Sequence, residues 1–272
     1  MGIIRKIKQS IATVKAHKEA PLRVEFILTD YCKLRCRGCT HYSPLAPKEF
    51  APLETLGHAM EQIGCKCGDG LAKAYLMGGE TLLYPHLEEA MDLLRRHFPT
   101  QELHVFTSGI NLPTQPDSFW EALKRNRIIL SITRYPVKFD YDALEELCRG
   151  KGAEYEIFGD RSADASFFKF GLDPEKKQNG QIAHFRCFNR GCISVVDDKV
   201  YPCSVSACVR HLNASHGTRF VHEPGDYILV DDLRSADDLR RLRDHAVPFC
   251  SYCRKPEERP YGPSKGEASE WM

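Results

Sequence analysis

Twelve cysteines occupy a chain of 272 residues, and their spacing points to metal chemistry. Cys32, Cys36 and Cys39 share one short stretch, so their thiolates can wrap a corner of an iron–sulfur cube and leave one iron open to a chelating ligand. His41 stands close by as a fourth ligand should the metal be zinc instead. A second set, Cys187, Cys203, Cys250 and Cys253, offers four thiolates, enough for a closed 4Fe-4S cluster or for tetrahedral zinc, with Cys192 an alternative to Cys187. Among the others, Cys148 lies on an apolar helical face and reads as core, while Cys65 and Cys67 precede a Gly68-Asp69-Gly70 turn. Cys192 and Cys208 bracket the hairpin expected near the second set, and Cys192 is also a candidate hydrogen-atom donor. So many cysteines without a secretory signal suit metal ligation in a reducing compartment better than disulfides.

These groups must be held by regular elements. Short apolar runs recur at 24–28, 74–77, 103–106, 128–132 and 155–158, separated by stretches of helical periodicity at 53–63, 87–98, 119–123 and 141–147. Alternating strand and helix predicts an α/β fold with a parallel sheet, either a barrel or an open sheet, and in both the site lies at the C-terminal strand ends. From about 185 the texture becomes cysteine-rich, with a hairpin expected over 193–201 and an Asp-rich helix over 235–245. Residues 1–20 space Ile3, Ile4, Ile7, Ile11 and Val14 as an amphipathic helix. The expected organisation is therefore an N-terminal helix (1–20), a barrel domain (21–184), a small cysteine-rich appendix (185–255) and a loosely held tail (256–272).

Lys plus Arg number 38 against 37 Asp plus Glu, so no global field favours nucleic acid. No run of about 18 apolar residues could span a bilayer, and 1–20 lacks the apolar centre of a signal peptide. A cytoplasmic protein without a membrane or nucleic-acid partner is expected.

The spacing C-x-x-x-C-x-x-C directly after the first predicted strand, with Met77-Gly78-Gly79-Glu80 ending the second, resembles the radical S-adenosylmethionine (SAM) superfamily. The resemblance implies a partial (β/α)6 barrel in which Cys32, Cys36 and Cys39 hold a 4Fe-4S cluster whose open iron binds SAM. Gly78, Gly79 and Glu80 would meet the methionine amino group, and Thr107, Ser108, Ser131 and Arg134 would supply ribose and carboxylate contacts. Gly38 stands where the family commonly has an aromatic residue near the adenine, which leaves that task to Tyr42 or to backbone groups. The second cysteine set resembles the twitch subdomain, a shortened SPASM domain, and implies one auxiliary 4Fe-4S cluster; Asp198 replaces the glycine usual at its hairpin.

By the same resemblance, the chain cleaves SAM to a 5′-deoxyadenosyl radical that takes hydrogen from a small polar metabolite, sugar or aminocyclitol-like, in a dehydrogenation or epimerisation. Its electron would come from a flavodoxin or ferredoxin. A maturase for a ribosomally made peptide is the alternative, and a non-catalytic iron–sulfur or zinc scaffold a third.

Overall fold

The structure, a computed structural model, describes residues 21–159 and 166–272. The helix expected in 1–20 lies outside them. Five apolar runs form parallel strands: β1 (Arg23–Thr29), β2 (Lys73–Gly78), β3 (Glu102–Thr107), β4 (Ile128–Thr133) and β5 (Tyr155–Phe158). Parallel neighbours need a crossover, and each crossover here carries a helix: α1 (Leu53–Cys67), α2 (Leu87–His97), α3 (Asp117–Asn126) and α4 (Tyr141–Lys151). Apolar stripes on these helices, such as Leu56, Met60 and Ile63 on α1 and Met91 and Leu94 on α2, are buried in the core. Asp140 caps α4 by accepting from the Asp142 and Ala143 amides at 3.1 and 2.9 Å. Cys148 is buried core as expected, and Cys65 and Cys67 end α1, the first exposed and the second buried.

Beyond β5 the chain departs from the expected plan. Its remaining elements are β6 (Ser166–Lys169), α5 (Gly180–Arg186), β7 (Ile193–Val196), β8 (Lys199–Tyr201), α6 (Ser204–Cys208), α7 (Arg210–His216), β9 (Ile228–Leu229), α8 (Ala236–Asp244) and β10 (Glu257–Pro260). The hairpin β7–β8 forms where expected, yet it is no separate appendix. β7 pairs in parallel with β1, so one sheet runs β5-β4-β3-β2-β1-β7-β8-β9. The sixth parallel strand of the sheet thus lies beside β1 and not beyond β5. A free edge on β1 would leave a row of unpaired backbone groups, and Ile193-Ser194-Val195-Val196, buried on both faces, satisfies it.

The segment after 256 is not loosely held either. β10 pairs antiparallel with β6, and the following residues bind the loop that carries the first cysteines. Arg37 N donates to Gly262 O at 2.9 Å, Ser264 N to Arg35 O at 2.6 Å, and the Trp271 indole N–H to Cys39 O at 2.9 Å. Trp271, only 2% exposed, packs its ring 5.8 Å from that of Tyr42. Trp271→Ala is expected to cost about 3–5 kcal/mol of stability, read as a lower urea midpoint at unchanged slope. A midpoint equal to the parent's would mean that this segment does not brace the loop.

Candidate functional site

Cys32, Cys36 and Cys39 lie on the loop that leaves the C-terminal end of β1, and the end of β2 holds this loop in place. Gly79 N donates to Thr29 O at 2.7 Å and Glu80 N to Tyr31 O at 3.0 Å. Both glycines are required by this close approach: a Cβ at Gly78 would stand 2.1 Å from Thr29 O, and one at Gly79 2.4 Å from Asp30 O and Tyr31 O. Gly38 adopts φ +74°, a left-handed conformation that disfavours the aromatic side chain usual at this position in the family.

Glu80, 2% exposed, reaches across to the end of β3. Its carboxylate accepts from Thr107 Oγ1 at 2.6 Å, from Ser108 N at 3.1 Å, from Leu82 N at 3.2 Å and from the Ser108 hydroxyl. Glu80, Thr107 and Ser108 are thus brought together as one hydrogen-bonded group beside the cysteine loop. Ser131 lies deeper on β4, bonded to His104 Nδ1 at 2.8 Å and donating to Glu156 Oε1 at 2.6 Å. Arg134 pairs with Glu145 and lies over the Tyr141 ring, 5.8 Å from its centroid. Tyr42 does not line an open adenine site: it is fully buried against Trp271.

Three tyrosines complete the surroundings of the first cysteine set, and sequence reading found none of them. The Tyr261 hydroxyl lies 3.6 Å from Cys36 Sγ. Tyr135, just after β4, has its hydroxyl pKa raised by burial and then by Cys36, Cys39 and Cys32. Tyr141 links the ends of β4 and β3, accepting from Tyr135 N at 3.0 Å and donating to Ser108 O at 3.3 Å. Burial pushes the Cys32 and Cys36 thiols up to about 12, so a bound cation must displace their protons.

Residues 26–157 match the Radical SAM superfamily. This stretch belongs to the radical SAM superfamily. Among curated proteins, the chain is 27% identical over 150 residues to a GTP 3′,8-cyclase of Alkaliphilus oremlandii, a match that covers 55% of this chain and 44% of that protein. The chain therefore spans less than half the length of that relative. The crystal structure of BtrN in complex with AdoMet and 2-DOIA superposes with a TM-score of 0.55 at 14% identity, covering 87% of this chain and 94% of that one. A partial overlap with Streptococcus suis SuiB has a TM-score of 0.39 at 17% identity, covering 56% of this chain and 36% of that one. The BtrN likeness shows that the α/β fold extends beyond the radical SAM domain itself.

Members of both cysteine sets, Cys39 of the first and Cys203 and Cys253 of the second, lie close enough to Tyr42 to raise its hydroxyl pKa. Burial, then the thiols of Cys203, Cys250 and Cys187, raise the pKa of Cys253, so these four gather in one place. Cys192, close enough to Cys203 to raise that thiol's pKa, accepts through its own sulfur from Arg23 Nη2 at 3.2 Å, at the start of β1. The cysteine loop leaves the other end of this seven-residue strand, roughly 20 Å away at the usual strand rise. Cys192 therefore lies by the end of β1 opposite the cysteine loop. Among the described residues, the metal-binding atoms that gather in threes within 4.8 Å are those of Asp30, His41 and Cys208, not those of either cysteine set.

Two buried polar atoms near the second set lack partners, the Tyr42 hydroxyl and Arg190 Nε. Cys39 and Cys253 both act on the Tyr42 hydroxyl, whose pKa burial raises most, and Cys187 acts on Arg190. Donors left unsatisfied beside Cys187 and Cys253 fit an acceptor-rich group held by the second set. Among the described residues, no helix is long and apolar enough to cross a membrane.

Proposed function

We propose that the chain is a radical SAM enzyme with one auxiliary iron–sulfur cluster, acting on a small polar metabolite of the sugar or aminocyclitol kind. The observation that carries this reading is the convergence of the cysteine loop, the Gly78-Gly79 turn and buried Glu80 at one end of a parallel sheet. Cys32, Cys36 and Cys39 would hold the SAM-binding 4Fe-4S cluster, and Cys187, Cys203, Cys250 and Cys253 the auxiliary one. In neither set do three sulfurs all lie within 4.8 Å of one another, whereas the thiolates of a single zinc ion stand roughly 3.8 Å apart at a tetrahedral site. When reduced by a flavodoxin or ferredoxin, the first cluster would cleave SAM to methionine and a 5′-deoxyadenosyl radical that takes hydrogen from substrate.

The chain's own residues would position and shield. Glu80, fixed by Thr107 and Ser108, presents negative charge for the methionine ammonium, while the backbone at Gly78 and Gly79 allows close approach. Tyr261, Tyr135 and Tyr141 exclude water from the first cysteine set and leave Tyr261 able to donate to Cys36. The metabolite class rests on the fold shared with the BtrN structure, which was solved with 2-DOIA and matches over 94% of its length.

Candidate aminocyclitols and amino sugars carrying carbon-bound deuterium test this reading. One deuterium should appear in 5′-deoxyadenosine with the true substrate. Transfer from a peptide but from none of these compounds would overturn the metabolite class.

A further inference from the structure

A second group of ligand-type side chains lies beside the cysteine loop, and neither cysteine set uses it. Asp30 follows β1, His41 follows the loop, and Cys208 ends α6; they are 5%, 8% and 0% exposed. Asp30 Oδ1 lies 3.2 Å from His41 Nδ1 and 3.2 Å from Cys208 Sγ, and that sulfur is 3.8 Å from the same ring nitrogen. A carboxylate oxygen, an imidazole nitrogen and a thiol therefore close a triangle around one point.

The size of the triangle identifies an occupant. Zinc bonds to sulfur at about 2.3 Å and to nitrogen or oxygen at about 2.0–2.2 Å, which in a tetrahedron sets these atoms roughly 3.3–3.6 Å apart. The observed sides need shifts of only a few tenths of an ångström. The donor set, one thiolate, one imidazole and one carboxylate, belongs to the borderline-soft cations and not to magnesium or calcium.

The outer partners fit as well. Asp30 Oδ2, the oxygen outside the triangle, accepts from His211 Nε2 at 2.8 Å and from Arg210 Nη2 at 3.0 Å. Such contacts hold a ligating carboxylate in orientation. A cavity of about 240 Å³ lined by Asp30, Arg210, His211, Glu49 and Phe50 adjoins the group and provides an entry route.

We propose that Asp30, His41 and Cys208 bind one zinc ion, with a fourth position left for water. The ion joins the start of the cysteine loop to α6, and so ties the radical SAM domain to the elements that follow β7. It shares no ligand with either cysteine set.

The test uses the full chain with its iron–sulfur centres assembled anaerobically, then equilibrated with zinc chloride and desalted. Zinc and iron are counted separately, and zinc K-edge absorption reports the ligands. The expected result is one zinc per chain with one sulfur at about 2.3 Å and nitrogen or oxygen ligands at about 2.0–2.2 Å. Cys208→Ala should lose this zinc with iron content unchanged, and His211→Gln should weaken zinc binding roughly 10- to 100-fold. Failure to retain zinc, a shell of four sulfurs, or unchanged zinc in Cys208→Ala would each overturn the site, leaving hydrogen bonds alone to explain the group. The ligand shell of the parent chain decides the matter even if a variant does not fold. Iron content reports separately on the radical SAM reading.

Discussion

Cys36→Ala protein, assembled and reduced without oxygen, is expected to form no 5′-deoxyadenosine from SAM. Cys36 is the buried member of the first set, and its loss leaves two thiols, too few to hold a cube by three corners. Glu80→Gln provides the contrast. Its carboxylate accepts from Thr107, Ser108 and Leu82, none of them a cysteine, so iron content should persist. An amide turns an NH2 group toward one of those donors and removes the charge offered to the methionine ammonium, at a cost of about 1–3 kcal/mol. SAM binding should weaken roughly 10- to 100-fold. If Cys36→Ala still cleaves SAM above the uncatalysed background, the assignment of the first cysteine set is wrong.

The second large effect concerns iron stoichiometry. Two cubes held by three and four cysteines give about eight irons per reconstituted chain. Cys253→Ala should reduce this to about four and leave reductive SAM cleavage in place, because Cys253 gathers with Cys187, Cys203 and Cys250 and not with the first set. About four irons in the parent chain, with zinc in a four-sulfur shell, would show that the second set is a zinc site and would remove the auxiliary cluster. The outcome also bears on the fate of the substrate radical in the proposed reaction: a dehydrogenation needs an electron acceptor, which an auxiliary cluster would supply.

How much of this was legible in the sequence follows from how local each feature is. Strands β1 to β5 fall within about two residues of the apolar runs, since the largely buried strands of a parallel sheet, here β1 to β4, are written as stretches rich in Val, Ile, Leu and Phe. The cysteine loop and the Gly78-Gly79-Glu80 turn were visible because each motif is contiguous and follows a strand. The position of β7 was not. Residues 193–196 announce a strand, but nothing in them specifies β1 as its neighbour across more than 160 residues. The pairing of β10 with β6 escaped for the same reason, as did the bond between Tyr261 and Cys36. His41 reads as a fourth ligand to the first cysteine set, Cys208 as a hairpin cysteine, and Asp30 carries no signal of its own; only the fold brings the three within 3.8 Å.

The segment 257–272 lies across the loop of Cys32, Cys36 and Cys39, and this has a consequence for how the protein is made. Tyr261 follows Cys36 by 225 residues. At ribosomal speeds of about 5–20 residues per second, roughly 10–45 s pass between synthesis of the loop and synthesis of the part that covers it. During that interval the loop is open to a cluster-delivering carrier from the side that Gly262, Ser264 and Trp271 later close. Loading during translation therefore meets no obstacle, whereas loading a finished, empty chain must first detach β10 and Trp271 and should proceed at the pace of that local opening.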